Sequence, residues 1–332
     1  MSDYIFKMYD TIIIGAGCAG LAAAMYAGRL NMKTLMIGDN IGGTIALTDV
    51  VENYPGFIRL TGQELADNLR KHAESYNIEK VEAKITKIMH EHNCFIVETN
   101  EGKTYQSRTI IFATGTEWRK LNITGEAEFA NKGVHYCALC DGAIYNGKVV
   151  AVVGGGDSAA KEALLMSQYA SKVYSLVRGE KLRGEPINND RVAKNPKIEV
   201  ITKANVKQII GDKIVKGVIL DKQINGSTTL SLNAVFVAIG HIALSQLAKD
   251  IGVATNEKGE IIIDRESKTN IPGFFAAGDV CDTIFKQAIT GVSEAVTAVY
   301  SAYTYVDENG FICPIGNEDL IERKKRKKTK DY

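Results

Sequence analysis

The sequence predicts an α/β protein made of two domains with parallel sheets. A pattern of strand, glycine-rich turn, helix and strand occurs at residues 9–37 and again at residues 148–177, and each copy is a complete βαβ unit. The two copies start 139 residues apart, far beyond the period of about 20 to 50 residues typical of solenoid repeats. The length of 332 residues also fits two domains of about 150 residues each.

The first copy of the pattern has well-defined elements. Tyr9–Ile14 and Thr34–Ile37 are short, β-branched apolar runs that predict strands. Between them, Leu21–Arg29 is rich in alanine and predicts a helix.

The stretches that follow each copy are similar to one another. Residues 81–116 and 198–240 alternate apolar and polar side chains and predict small antiparallel sheets that return to a core strand. Residues 259–279 predict a strand, a turn and a second strand, and a helix is expected from about Gln287 to Tyr305.

Composition excludes several classes of protein. Apolar residues make up 45% and charged residues 24%, which is typical of globular chains rather than disordered or fibrous ones. No run approaches the roughly 18 apolar residues of a membrane span, and the charged N-terminus does not resemble a secretory signal, so we expect a cytoplasmic protein. Residues 323–330 hold seven of the forty basic residues, which predicts a solvated basic tail on a mildly acidic body.

The first glycine motif, Gly15-Ala16-Gly17-Cys18-Ala19-Gly20, fits GxGxxG directly between a strand and a helix. Glycines at these positions permit a tight turn, close approach of a pyrophosphate and close packing of helix on strand. The helix N-terminus then offers free N–H groups to the phosphates. Asp39 is the candidate ligand of a ribose hydroxyl, although Gly38 occupies the usual end-of-strand position. The alternative is a glycine turn that binds nothing.

The second glycine motif, Gly154-Gly155-Gly156-Asp157-Ser158-Ala159, fits GxGxxA in the same context. It predicts a second Rossmann-like, dinucleotide-binding domain, and two dinucleotides on one chain suggest electron transfer between them. Arg178, Lys181 and Arg183 follow the next strand, where cations could receive a 2′-phosphate. The alternative is a solvated loop with ordinary surface charge.

Cys137 and Cys140 form a CxxC pair, whose two-residue gap allows a readily exchanged disulfide. Half of a zinc site and two buried structural thiols are the alternatives, and zinc is disfavoured because no second ligand pair stands at a suitable spacing. We therefore predict no metal. Asp141 is placed to move a proton to or from a thiolate. His135 could lower a thiol pKa, although a packing role is the plainer interpretation.

These residues resemble the low-molecular-weight thioredoxin reductases of bacteria and archaea, from about Asp10 to Tyr300. The matching segments, in chain order, are GAGCAG, GGTIALTDVVENYPG (42–56), FATG, CALCDG, GGGDSA, FVAIGH, GFFAAGDVCD and KQAIT.

The resemblance implies a nested arrangement of three-layer, Rossmann-like domains. The FAD domain would comprise residues 1–117 and 245–315, the NAD(P) domain with the CxxC pair residues 118–244, and the basic tail residues 316–332. The NAD(P) domain would rotate about hinges near Thr116–Arg119 and His241–Ser245.

The resemblance also implies two sets of cofactor-binding residues. Those expected to bind FAD are Gly15, Gly17, Cys18, Ala19, Asp39, Gly43, Thr44, Asn53, Ala113, Thr114, Gly115, Gly278, Asp279, Lys286, Gln287 and Ala288. Those expected to bind NADPH or NADH are Gly154, Gly156, Asp157, Ser158, Arg178, Arg183, Ile239 and Gly240. Val177-Arg178-Gly179 stands where many relatives carry His-Arg-Arg, so either nicotinamide nucleotide remains a candidate donor.

The activity implied is thioredoxin-disulfide reduction by a homodimer. Hydride from NAD(P)H would reduce FAD, Cys140 would face the flavin, Cys137 would attack thioredoxin, and Asp141 would act as acid and base. The alternatives are a related enzyme with another donor, such as ferredoxin or a deazaflavin, an NAD(P)H oxidase, and a redox sensor. Nothing in the body of the chain has the aromatic and basic clustering suited to nucleic acid.

Overall fold

In the computed structural model, residues 7–48, 51–91 and 93–309 are described, and they confirm the predicted α/β class. The chain divides into two units. One unit is formed by the described residues up to Thr116 together with those from Ala243, and the other is Glu117–Ile242, inserted between them. The predicted domain bounds lie within two residues of these crossings. The predicted basic tail lies outside the described residues.

The elements follow one another along the chain in three segments. The first segment contains β1 (Met8–Ile14), α1 (Cys18–Arg29), β2 (Thr34–Ile37), α2 (Gly62–Glu74), β3 (Glu79–Val81), β4 (Ile85–Glu91), β5 (Cys94–Thr99), β6 (Thr104–Phe112) and β7 (Thr116–Trp118). The second contains β8 (Val134–His135), α3 (Ala138–Asp141), β9 (Val149–Val153), α4 (Asp157–Tyr169), β10 (Lys172–Val177), α5 (Pro186–Lys194), β11 (Ile198–Thr202), β12 (Val206–Gly211), β13 (Val215–Ile224), β14 (Ser227–Ser231) and β15 (Ala234–Val237). The third contains β16 (His241–Ala243), α6 (Gln246–Lys249), β17 (Phe274–Ala276) and α7 (Ala288–Glu308). Short 3₁₀ turns occupy Gly43–Leu47 and Gly142–Tyr145.

The first unit is built on a seven-stranded sheet of order β3-β2-β1-β6-β5-β4, in which β17 also pairs with β6. Strands β3, β2, β1, β6 and β17 run parallel, whereas β4 and β5 form the predicted antiparallel extension. The carboxyl ends of β1, β2, β6 and β17 therefore meet at one edge, where open α/β sheets bind their ligands.

Helices α1 and α7 pack together on the first sheet through small side chains. Ala23, Ala24 and Ala27 of α1 and Ala295 and Ala298 of α7 are fully buried in one apolar cluster. Alanine at these positions lets the two helices approach closely while keeping high helix propensity. This packing fixes the start of α1 relative to the sheet.

The second unit contains a five-stranded parallel sheet of order β11-β10-β9-β15-β8 and a three-stranded antiparallel sheet of order β12-β13-β14. The central strand β9 is flanked by β10 and β15, and Val150, Ala151 and Val152 are completely buried. Both faces of a central strand in a parallel sheet are covered by other elements. This explains why β9 is an uninterrupted apolar run.

Two predicted elements differ from the observed ones. Helix α1 begins at Cys18 rather than Leu21, because the Leu21 amide already donates to the Gly17 carbonyl at 2.9 Å. The strand predicted at the start of residues 259–279 is wrong, since Ile261 forms only isolated bridges. Its amide donates to Val280, while the next amide donates to Ala254, so the backbone bonds alternate between two loops.

Candidate active site

The first glycine motif lies where β1 ends and α1 begins. Gly15 has φ +109°, and a Cβ atom there would lie 2.2 Å from the carbonyl oxygen of Ala113. A Cβ atom on Gly20 would lie 1.9 Å from the Gly15 carbonyl oxygen. Both positions therefore require glycine, because neither has room for a Cβ atom. At Gly15 the positive φ is a second reason, since side chains of L residues disfavour it.

Gly17 is required for a different reason. It is the N-cap of α1 and offers no side-chain hydrogen bond to the helix, and a Cβ atom there would meet nothing closer than 3.8 Å. The first N–H groups of α1 are consequently left without a side-chain cap. Such a helix start, next to open space, can accept an anionic phosphate.

A second glycine turn approaches this helix start. The Gly42 amide donates to the Ala16 carbonyl at 2.8 Å, and a Cβ atom on Gly43 would lie 2.9 Å from the Gly17 Cα atom. Thr44, the next residue, is exposed. The backbone of residues 42–43 therefore forms one side of the predicted phosphate site.

The turn at Gly278 and Asp279 packs against the N-terminus of α1. A Cβ atom on Gly278 would lie 3.1 Å from the Cβ atom of Ala19. The charge of Asp279, together with the larger effect of burial, raises the pKa of the Cys18 thiol to about 12. Cys18 is thus a protonated thiol at neutral pH. The structure brings four of the predicted FAD residues together here, namely Cys18, Ala19, Gly278 and Asp279.

Charged side chains stabilise the turn at Gly278 and Asp279. Lys286 Nζ donates to the carbonyl oxygens of Asp279 at 2.7 Å and Cys281 at 2.5 Å, and it pairs with Glu260 at 2.9 Å. An ammonium group has three donors, so these contacts use all of them. Lys286 therefore stabilises the turn, and any direct contact with a cofactor stays a prediction.

Glu294 of α7 is a further support that the sequence did not reveal. Its carboxylate accepts a hydrogen bond from the Gly278 amide at 2.8 Å and another from the Thr283 hydroxyl. Burial raises the pKa of this carboxyl against the effect of those two bonds. Nothing in its local sequence distinguishes it from an ordinary helix-surface glutamate, so only the fold identifies it.

Other predicted FAD residues line the same edge of the first unit. The Asn53 side chain donates to Gln287 Oε1 at 2.8 Å, and Gln287 is the N-cap that precedes Ala288 in α7. Directly after β6, the Thr114 hydroxyl donates to the Leu244 carbonyl at 2.9 Å, and Gly115 has φ +69°.

The predicted ribose ligand Asp39 is exposed beyond the end of β2. The preceding position must be glycine, because a Cβ atom on Gly38 would lie 2.8 Å from the Ala16 backbone nitrogen. Steric crowding thus explains why no carboxylate occupies the usual end-of-strand position.

The second glycine motif repeats the design of the first in the inserted unit. Gly154 has φ +159°, and a Cβ atom there would lie 2.1 Å from the carbonyl oxygen of Ala238. Gly156, the N-cap of α4, gives the helix no side-chain cap and has open space where a Cβ atom would be. Ser158 is exposed in the first turn of α4. Ile239 and Gly240 follow β15 at the same edge of the sheet.

Asp157 organises the loop that carries the predicted phosphate-binding arginines. One carboxylate oxygen accepts from the Glu185 amide at 2.7 Å and from the Asn188 side chain at 3.0 Å. The Arg183 amide donates to the Gly155 carbonyl at 2.7 Å, while the side chains of Arg178 and Arg183 are exposed. Asp157 thus anchors the loop and leaves both guanidinium groups available to a ligand.

Cys137 and Cys140 form a disulfide in the inserted unit. Cys137 caps the short helix α3, where its sulfur accepts a hydrogen bond from the Cys140 amide at 3.1 Å. Cys137 is 8% exposed, whereas Cys140 is an exposed residue. No group of three or more metal-binding side chains occurs among residues 7–48, 51–91 and 93–309.

The acid–base candidate Asp141 belongs to a chain of polar side chains. His135 Nδ1 lies 2.9 Å from Asp141 Oδ2, and His135 Nε2 lies 2.8 Å from the Tyr145 hydroxyl. Burial, followed by the charge of Asp141, raises the pKa of Tyr145. Tyr145 was missed from the sequence because a lone tyrosine carries no signal. The His135 ring also stacks on Phe236, as a packing role requires, and its part in lowering a thiol pKa stays a prediction.

A chain with two glycine-rich turns and a disulfide matches a known family. The pyridine nucleotide-disulphide oxidoreductase family matches residues 9–299. The chain belongs to this family. Its members' chemistry implies a flavin and a pyridine nucleotide as cofactors, and the chain is accordingly a redox enzyme. None of the helices in the described ranges has the length and apolar character needed to span a bilayer.

Individual relatives place the chain among the thioredoxin reductases. It is 40% identical to the thioredoxin reductase of Listeria monocytogenes over 305 residues, which cover 91% of this chain and 95% of that protein. The crystal structure of Lactococcus lactis thioredoxin reductase is similar with a TM-score of 0.87 and 36% identity, covering 91% of this chain and all of that one. A ferredoxin-flavin thioredoxin reductase from Clostridium acetobutylicum is 32% identical, with a TM-score of 0.51, and covers 91% of this chain and 98% of that one.

Proposed function

We propose that the chain is a thioredoxin-disulfide reductase that uses FAD and a nicotinamide nucleotide. The observation that carries this proposal is the Cys137–Cys140 disulfide, which lies in the unit with the second nucleotide motif and is followed directly by Asp141. A disulfide in this position, beside a carboxylate, suits dithiol exchange with a protein substrate. The relatives named above support thioredoxin as that substrate.

The first unit has the features required to hold FAD. The uncapped start of α1 at Gly17 would receive the pyrophosphate, with Gly43 on its other side. The corner at Asp279 would bind the ribityl chain, and Asn53 with the Gln287-Ala288 segment would lie near the ring system. When bound, the flavin supplies a two-electron carrier between the nucleotide and the disulfide.

The inserted unit would hold the electron donor. The uncapped start of α4 at Gly156 offers its N–H groups to a second pyrophosphate. The exposed guanidinium groups of Arg178 and Arg183 favour a ribose that carries a 2′-phosphate. We therefore propose NADPH as the donor, with NADH as the competitor that the experiment below distinguishes.

The two cysteines would have separate roles. Cys140 would face the flavin, and Cys137 would attack the disulfide of thioredoxin. In the disulfide state Cys137 is the buried member of the pair, so the turn that contains it must open before Cys137 reaches a protein partner. Asp141, held beside His135, would supply and remove the proton at the leaving sulfur.

An anaerobic titration of the purified yellow protein with NADPH and with NADH tests the donor. Bleaching of the flavin by NADPH at lower concentrations than NADH is expected, followed by reduction of added thioredoxin. Cys137→Ser should keep the bleaching and lose thioredoxin reduction. Bleaching by neither nucleotide would overturn the donor, and bleaching by the wild type without thioredoxin reduction would overturn the reductase.

A second candidate function keeps the flavin and the cysteine pair but takes electrons from ferredoxin. The similarity to the ferredoxin-flavin thioredoxin reductase favours it, as does Val177-Arg178-Gly179 in place of a more basic segment. Thioredoxin reduction by reduced ferredoxin, together with no bleaching by either nucleotide, would select this candidate. We also propose a cytoplasmic homodimer, which light scattering of the purified protein would test by its mass.

A further inference from the structure

Glu162, in the second turn of α4, reaches the backbone of the active-site turn. Its carboxylate accepts a hydrogen bond from the backbone amide of Ala138, the residue that follows Cys137. The same helix begins at Gly156 of the second nucleotide motif. Glu162 thus tethers the cysteine pair to the helix that starts at the proposed nucleotide site.

The second carboxyl oxygen of Glu162 is unusual. Oε2 is buried and has no hydrogen-bond partner in the part of the chain that the structure describes. An ionised carboxylate in such a position loses its hydration without compensation. Burial accordingly raises the pKa of Glu162 to about 8, even though the Ala138 amide favours the charged form. The carboxyl group is therefore mostly neutral at pH 7.

The side of α4 that carries Glu162 packs on the turn containing the disulfide. A Cβ atom on Gly142, just after α3, would lie 2.9 Å from the Met166 sulfur, one turn beyond Glu162. Burial and the Ala138 amide are the causes that shift the pKa of Glu162, and no cation is among them. The titratable groups on α3 and the turns beside it are Cys137, Cys140, Asp141, His135 and Tyr145. Helix α4 itself carries Asp157, Lys161 and Tyr169, and the other elements packed on it, α5, β10 and β11, carry Asp190, Arg191, Lys194, Lys172, Tyr174 and Glu199.

We propose that Glu162 is a positioning residue whose protonation is coupled to the redox state of the Cys137–Cys140 pair. In its neutral form, the carboxyl holds the turn through Ala138 and tolerates a thiolate on the pair. In its ionised form, it opposes that thiolate. This inference deepens the proposed function and rests on it for the source of electrons.

Two electrons, delivered through the flavin, break the S–S bond, and one proton converts one sulfur to a thiol while the other remains a thiolate. With Glu162 protonated, the turn gains one negative charge. With Glu162 ionised, the turn would hold two, so one further proton must come from solvent to the carboxylate or to the thiolate. Reduction is therefore disfavoured where Glu162 has lost its proton.

The disulfide equilibrium measures this coupling directly. The flavin-loaded wild type and Glu162→Gln are equilibrated anaerobically with reduced and oxidised dithiothreitol from about pH 6 to about pH 9.5, and the reduced pair is trapped by alkylation and quantified by peptide mass. The glutamine keeps an acceptor for the Ala138 amide but cannot ionise. Glu199→Gln, a change on β11 of the same unit at a half-exposed side chain that pairs with Lys172, is the matched control.

The equilibrium constant for reduction by dithiothreitol is compared between wild type and Glu162→Gln as a ratio at each pH. The ionisation of dithiothreitol affects both constants equally and therefore cancels from this ratio. The ratio should stay constant below about pH 7 and fall about tenfold by about pH 9.5, which corresponds to a coupling of one pKa unit. The wild-type to Glu199→Gln ratio should stay constant throughout. A pH-independent ratio for Glu162→Gln would overturn the inference.

This measurement uses neither nucleotide nor thioredoxin, so its outcome is separate from that of the proposed function. If Glu162→Gln does not fold, the reduced-minus-oxidised infrared spectrum of ¹³C-glutamate-labelled wild type near about pH 8 replaces it. A labelled carboxyl band gained on reduction, and missing in Cys137→Ser, supports the coupling. No labelled carboxyl band would overturn it.

Discussion

The imidazole of His135 lies between two polar groups of the active-site turn, 2.9 Å from Asp141 Oδ2 and 2.8 Å from the Tyr145 hydroxyl. His135 is 4% exposed in its side chain, while Asp141 is 33% exposed. A buried ring therefore lies beside a carboxylate whose other face meets solvent. This arrangement orients the proposed acid–base group without withdrawing it from a substrate.

Asp141→Asn should slow thioredoxin reduction by about 10²-fold, because it removes a positioned general acid and base. Reduction of the flavin by the nucleotide should keep its wild-type rate, since that half-reaction does not use the cysteine pair. Stopped-flow measurement of each half-reaction separates the two effects. Asp190→Asn, an exposed change on α5, is the control, and an equal loss in both half-reactions would contradict the assignment.

Gly15→Ala and Gly17→Ala should fail in different ways. Alanine at position 15 would place a Cβ atom 2.2 Å from the Ala113 carbonyl at φ +109°, so we expect a poorly folded protein. At position 17 the nearest atom would lie 3.8 Å away, so Gly17→Ala should fold but bind flavin weakly. Circular dichroism and flavin absorbance measure the two properties. Full flavin content in Gly17→Ala would count against the proposed phosphate site.

The same contrast applies to the nucleotide motif of the inserted unit. Gly154→Ala would bring a Cβ atom to 2.1 Å from the Ala238 carbonyl and should destabilise the unit. Gly156→Ala meets no atom within 4 Å, so it should fold, retain flavin and require more nucleotide for bleaching. Unchanged nucleotide affinity in Gly156→Ala would place the donor elsewhere.

Arg178→Ala and Arg183→Ala should raise the KM for NADPH by about tenfold each, because each guanidinium would lose one charge-assisted contact with the 2′-phosphate. The KM for NADH should not change. Lys194→Ala removes an exposed cation of the same unit and serves as the control. Equal effects on both nucleotides would show that the arginines do not read the 2′-phosphate.

Glu162→Gln should stabilise the protein in a pH-dependent way. The pKa of Glu162 is raised from 4.5 to about 8, so the neutral group's stabilising contribution is complete below 4.5 and is lost as the pH rises towards 8. The variant should therefore match the wild type near about pH 4 and melt several degrees higher near about pH 8. Thermal melts at the two pH values measure this, and a constant difference in Tm would contradict it.

The fold class, both glycine turns and the cysteine pair could be predicted from the sequence alone. Each glycine motif is recognised from residues of its own strand–turn–helix unit. The carbonyl groups that exclude a Cβ atom at Gly15 and Gly154 belong instead to Ala113 and Ala238, which follow other strands of the two sheets. The sequence pattern likewise predicted the strands: continuous apolar runs predicted the parallel strands, which are buried on both faces, and alternation predicted the antiparallel ones. The order of the motifs along the chain, with Cys137 and Cys140 shortly before the second glycine turn, is likewise visible in the sequence.

The polar side chains that support the sites could be identified only from the folded structure. Glu162 and Ala138 are 24 residues apart in the sequence, and Glu294 reaches Gly278 from a different element, so neither contact has a local signal. Lys286 was placed at the cofactor by its neighbours in sequence, yet its donors go to two carbonyls and Glu260. Burial sets the charge of such groups, and burial depends on what the rest of the chain packs over them.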